Sequence, residues 1–183
     1  MRAKGTTGND NHHLFETSVF EIQNHLLLRN MSEPLFLKQQ LFEHCDQKVR
    51  QQIADLEAAL ASVEESRNNE TKSSVGDKYE TGRAMMQQEE EKYRTQLANA
   101  LHLKRVLEQI DPERRCARVE AGSLVITSAG RYFISIGLGK IRLDDGLYYA
   151  ISTEAPVSRE LLGKSPGDII YFNQKQIEIL DIS

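Results

Sequence analysis

The sequence predicts an α+β chain in which a long antiparallel coiled-coil hairpin precedes a small, mainly antiparallel β domain with one short helix. Three observations carry that expectation. Apolar residues recur every seven positions through two successive stretches between Leu35 and Ile110, a cluster of turn formers separates the stretches, and beyond Pro112 the apolar period drops from seven to two. Size and charge fit this division. The 183 residues suffice for a buried core plus an arm, and 23 Lys+Arg against 27 Asp+Glu leave a net charge of -4 that disfavours autonomous binding to duplex phosphate. Any role at a nucleic acid is therefore local or borrowed from a partner.

Residues 1–30 mix a Gly/Thr/Asn-rich start with a short apolar patch and hold no period, so they read as an accessory extension. Met31 opens a segment that looks like an ordinary protein start; the extension is then not native, which N-terminal sequencing would decide. His12, His13 and His25 read as solvated side chains rather than ligands. The hairpin is assigned to 31–113. Ser32 or Glu33 ahead of Pro34 gives a helix start. From there Leu35, Phe42, Val49, Leu56 and Val63, with Cys45, Ile53 and Leu60, form one apolar seam of a helix over about 35–66. The stretch from Ser66 to Gly76 breaks it, and the tip is placed at about 67–83. A second helix follows to about Ile110, with Tyr79, Met86, Tyr93, Ala100 and Leu107, supplemented by Leu97, Leu103 and Ile110, before Asp111-Pro112 ends it. Folded back on each other, the helices bury both seams, with Val63 expected near Tyr79 or Met86 and Phe42 near Leu103 or Leu107. At ~1.5 Å per residue such an arm is about 45 Å long and must project beyond the remaining third of the chain. The same seams would also serve a dimeric helical bundle.

Past the joint at Pro112–Cys116, residues 117–183 read as a separately folding domain. Strands are expected at 122–127, 131–137, 147–152, 168–172 and 175–181, and Pro156 to Leu162 reads as a short helix closed by Gly163. Leu124, Ile126, Phe133, Leu161, Leu162, Ile170 and Ile179 are the expected core. Gly137-Leu138-Gly139-Lys140 lacks the strand and helix that a phosphate cradle needs and reads as a turn. No apolar run approaches the ~20 residues of a membrane span. Cys45 and Cys116 lie far apart without metal-ligand spacing, so no disulfide framework is implied and the expected compartment is cytoplasmic.

No nucleophile elbow, Walker loop, dinucleotide fingerprint or zinc spacing occurs, so an active site of its own is not expected. His44-Cys45 is not a catalytic pair, because neighbouring helix residues point about 100° apart and Cys45 lies on the seam. The tip is the informative stretch. Asp77 and Glu80 stand three apart at the start of the second helix, on one face. They read either as an N-cap and its capping-box partner or as a carboxylate pair that shares a divalent cation with ligands from elsewhere.

Two motifs carry a family resemblance. Gly122-Ser123-Leu124-Val125 and the run from Ile151-Ser152 through Pro156, Leu161, Gly163-Lys164 and Gly167-Asp168, with Ala155 in place of the family's Ser, resemble, in register, the C-terminal domain of the Gre family of bacterial transcript-cleavage factors. Gly76-Asp77-Lys78-Tyr79-Glu80 resembles that family's G-D-x-x-E tip. The resemblance covers about residues 35–183 and implies an FKBP-like fold for 117–183. It further implies that the chain binds RNA polymerase, inserts the tip into the secondary channel beside the nascent RNA 3′ end, and stimulates cleavage of backtracked RNA. It makes Asp77 and Glu80 the pair that assists a Mg2+ held jointly with the polymerase, the chain having no cofactor of its own. Lys78, Tyr79, Arg83, Ser152, Pro156, Gly163, Gly167 and Asp168 are the partner contacts it implies. On this reading the chain is an accessory factor, not an enzyme, with no sequence-specific nucleic-acid binding of its own and no membrane role. Lys78-Tyr79 stand where the family commonly has Leu-Ser, and Thr81-Gly82-Arg83 where it has Asn-Ala-Glu, which adds positive charge beside the pair. A non-cleaving regulator of the same channel stays open, as do an autonomous FKBP-like catalyst and a structural coiled-coil protein.

Overall fold

The computed structural model describes the backbone of residues 10–70 and 78–183 and the side chains of 34–68 and 82–183. Two long helices lead: α1 (Asp10–Glu70) and α2 (Lys78–Glu108). They pack on each other as a hairpin. A six-stranded mixed sheet follows, from β1 (Leu124–Thr127), β2 (Gly130–Ser135), β3 (Gly139–Leu143), β4 (Gly146–Ser152), β5 (Ile169–Phe172) and β6 (Lys175–Ile182), with α3 (Pro156–Leu161) between β4 and β5. The strand order is β3-β4-β2-β1-β6-β5.

The first helix departs from the sequence expectation at its start. It begins at Asp10 and carries Pro34 inside it, rather than opening at Pro34. Proline inside a helix removes one i→i−4 hydrogen bond. The flanking Glu16, Glu21, Gln23 and Leu26–Leu28 are good helix formers, and they sustain the backbone without a persistent seam.

Along the hairpin the heptad seam holds. Cys45, Val49 and Leu56 of α1 and Ala100 and Leu107 of α2 are buried, and Leu41, which the seven-residue count passes over, is completely so. Two interhelical ion pairs set the register: Arg67 to Glu90 at 3.1 Å and Arg94 to Glu64 at 4.0 Å. Val63 thus lies level with Arg94, about two turns further from the tip than the expected partner Met86. Tyr79, the other expected partner, has its side chain outside the described residues.

The sheet differs from the expected one by β3. Its Lys140-Ile141-Arg142-Leu143 alternates exposed with buried or partly buried residues, but the run is only four residues long and its first is taken into the expected turn at 137–140. The expected turn is real at Gly137-Leu138, where the Leu138 N–H donates to the Ile136 carbonyl at 3.0 Å, but Gly139 and Lys140 already belong to β3. Because β3 turns back and pairs antiparallel with β4, β4 returns between β3 and β2 and runs parallel to β2. The other pairings are antiparallel.

Both faces of the sheet are buried at its centre. On one face Leu124, Phe133, Ile136, Ile141, Tyr148 and Ala150 form a single apolar cluster with Leu41, Cys45, Val49, Leu107 and Ile110 from the base of the hairpin. On the other, Val125, Ile134, Ile170, Ile177 and Ile179 pack with Val119 and Leu161. The hairpin base and the residues beyond 117 thus share one apolar cluster. Of the expected core residues, Leu124, Phe133, Leu161, Ile170 and Ile179 are buried and Ile126 is partly so, while Leu162 is 36% exposed. The Leu162 N–H caps α3 on the Ser158 carbonyl, and Gly163, at φ +77°, makes the left-handed turn that a side chain would strain.

Candidate functional site

The expected site residues fall into two groups at opposite ends of the molecule. Lys78, Tyr79 and Glu80 form the first turn of α2, with Glu80 as its third residue. Their side chains, and Asp77 altogether, lie outside the described residues. A helix N-terminus presents unpaired N–H groups and the positive end of the macrodipole, so it suits carboxylates in this turn. Arg83, one turn further on, is exposed. It lines an open cleft of about 580 Å3 with Arg67, Gln87, Glu90, Glu91 and Arg94. Glu90 is 8% exposed and occupies a seam position, where it accepts from Arg67 at 3.1 Å and from Arg94 at 2.6 Å. The seven-residue count, which takes in apolar positions alone, passes over it.

From Arg83 to the end of α2 at Glu108 the helix runs about 38 Å, and the sheet domain flanks its lower part, where Leu138 shares a cleft with Leu56, Gln96 and Asn99. The second group sits at the sheet end, and its residues shape the backbone. The Ser152 carbonyl, closing β4, accepts from Ala155 N–H at 3.1 Å, and Pro156 is the first residue of α3, where its missing N–H costs nothing. Gly163 N–H donates to the Val119 carbonyl at 2.8 Å, and Gly167, at φ +88°, donates to the Ile179 carbonyl at 2.7 Å. The Asp168 carboxylate accepts from Ser165 N–H at 2.8 Å. Pro156, Gly163, Gly167 and Asp168 are exposed, so this segment also forms an outer surface.

Two polar clusters lie outside both groups. Asp145 accepts from Tyr148 Oη at 2.5 Å and from Arg131 at 3.0 Å, and the Arg131 guanidinium lies 5.3 Å from the Tyr148 ring centre. Burial, with the Asp145 bond, raises the Tyr148 phenol above its usual range, and the cluster ties β2 to the β3–β4 turn. At the base of the hairpin, Lys38 is completely buried beside Cys116. No sequence signal marks it, because a lone lysine in a helix reads as solvated. Cys45 is buried in the apolar cluster, and desolvation pushes its thiol up to about 11, so it stays protonated and is no catalytic partner for His44.

Among the described residues no group of three or more His, Cys, Asp or Glu could hold a metal ion, and no helix is long and apolar enough to cross a membrane. Compared with known proteins, the chain matches no family model, no curated protein and no solved structure.

Proposed function

We propose that this chain is a Gre-like accessory factor of RNA polymerase, in which the hairpin carries the Gly76-Asp77-x-x-Glu80 tip into the secondary channel and the FKBP-like sheet domain stays outside. The architecture carries the reading: a two-helix arm, with about 38 Å of α2 between Arg83 and Glu108, followed by a six-stranded mixed sheet with one short helix. An arm of that reach delivers side chains into a passage that the sheet cannot enter. On this reading Asp77 and Glu80 contribute two carboxylates to a Mg2+ whose other ligands come from the polymerase. Bound there, the ion would supply Lewis-acid assistance to phosphodiester hydrolysis. The chain's own part would be to place and orient the two carboxylates, three positions apart in the sequence, with Glu80 in the first turn of α2. The polymerase remains the catalyst.

A second reading has its own support. Arg83 is exposed one turn from Glu80, in a cleft where Arg67 and Arg94 are paired to Glu90 and Arg94 also to Glu64. A cation at Arg83 beside the acidic motif suits a factor that occupies the channel without cleaving.

The test mixes the protein with a backtracked elongation complex and Mg2+ and follows shortening of the RNA 3′ end. Wild type should shorten it. Asp77→Asn and Glu80→Gln keep a capping acceptor and should cost only a few tenths of a kcal/mol of stability, yet lose most of the cleavage. Unchanged cleavage in both variants would reduce the pair to a helix cap. Binding without any cleavage by wild type would establish the second reading.

A further inference from the structure

The base of the hairpin meets the sheet through a buried lysine and a cysteine 78 positions apart in sequence. Lys38, on α1, is 0% exposed; its Nζ donates to the Arg114 carbonyl and lies 3.8 Å from the Cys116 Sγ. Burial draws the Lys38 pKa below its usual value, partly offset by Cys116 and by the Asp111 and Glu120 charges, so this amine gives up its proton more readily than an exposed lysine. Cys116 is 8% exposed and lines an open cleft of about 470 Å3 with Pro34, Leu35, Arg115 and Asp181, which offers a small oxidant a route toward this residue. Cys45, completely buried in the apolar cluster, has no such opening.

We propose that Lys38 and Cys116 are an oxidation-driven covalent lock between the hairpin and the sheet: hydrogen peroxide converts Cys116 to a sulfenic acid, and the Lys38 amine condenses with it to form an Nζ–Sγ bond. The sulfur attacks one peroxide oxygen and the O–O bond breaks; the departing hydroxide takes a proton from the pair and leaves as water. The free amine of Lys38 then displaces the sulfenic hydroxyl, which leaves as a second water with a proton from nitrogen. One thiol, one amine and one peroxide thus give one S–N bond and two waters; sulfur is oxidised by two electrons and the peroxide is reduced by two. The flexible four-carbon stem of lysine lets Nζ close the remaining distance. The bond would close the long chain segment between the two residues and constrain the unfolded state, and a thiol reductant would open it. This lock does not depend on the reading of the tip.

The experiment treats the full-length native protein with hydrogen peroxide, digests it without reductant and maps the products by mass spectrometry. The expected product is a peptide pair joined through Lys38 and Cys116, lighter than the two peptides together by two hydrogens and released by dithiothreitol. It should persist in Cys45→Ser and vanish in Cys116→Ser, Lys38→Met and Lys38→Arg, the last because a guanidinium stays protonated. In the two lysine variants Cys116 should instead pass to sulfinic acid, and oxidation should raise the Tm of wild type but not of Lys38→Met. A Cys116 that stays a thiol under peroxide, its passage to sulfinic acid in wild type with Lys38 unmodified, or equal cross-linking in urea would each overturn the proposal.

Discussion

Leu161 and Leu162 are neighbours at the end of α3 with opposite surroundings. Leu161 is completely buried against Val119, Ile170 and Ile177, while Leu162 stands 36% exposed beyond the last turn. Leu161→Ala should therefore cost about 2 to 5 kcal/mol, and Leu162→Ala well under half of that, as read from denaturant unfolding of the two variants. Sequence pattern tells core from surface in the strands, where alternation assigns faces, but not in a six-residue helix, where two adjacent leucines fit either side. Lys38 is illegible in the sequence for a related reason: only tertiary packing removes it from water. Its lowered pKa has a pH signature. Between the native pKa of Lys38 and the usual 10.5, the unfolded chain binds the proton that the native state has lost, so the burial penalty is full at low pH and fades as pH rises. The stability difference between wild type and Lys38→Met should thus move in favour of wild type from about pH 7 to about pH 10. Parallel unfolding curves check this, and a difference that moves the other way would contradict it.

At the scale of elements, the hairpin is legible because a seven-residue apolar repeat sustained over several turns fits little besides paired helices. Its start is not, since helix backbone can run on past the end of a seam. β3 escapes because its alternation spans only residues 140–143 and its first residue is read into the turn, and without it β2 and β4 cannot be read as parallel neighbours. The polar member of the α2 seam has a testable consequence. Glu90 is held between Arg67 and Arg94 on a stripe that is otherwise apolar, and its carboxylate is desolvated there. Removing the carboxylate alone leaves Arg67 and Arg94, whose side chains are 48% and 64% exposed and can return to water rather than stay buried unpaired, whereas a cation at this site would face two others. Glu90→Leu should hold or raise the Tm, and Glu90→Lys should lower it by several degrees in the same thermal scan.

Over the whole molecule, the arm and the sheet are tied by one apolar cluster at the hairpin base, while the far end of the arm carries charge. The shared core fixes the direction in which the helices leave the sheet. The tip pair itself is legible as a motif, but its side-chain geometry lies outside the described residues, and its chemistry rests on the proposed partner. Delivery of the tip to the polymerase interior is the central claim, and proximity tests it most directly. A photoreactive residue at position 83, beside the pair, and another at position 171, where Tyr171 is 72% exposed on the outer face of the sheet, are compared in complexes with backtracked RNA polymerase. Position 83 should cross-link to the nascent RNA 3′ end or to the polymerase's catalytic centre, and position 171 should not. Cross-links to the centre from position 171, or none there from position 83 in a complex that has formed, would contradict the account.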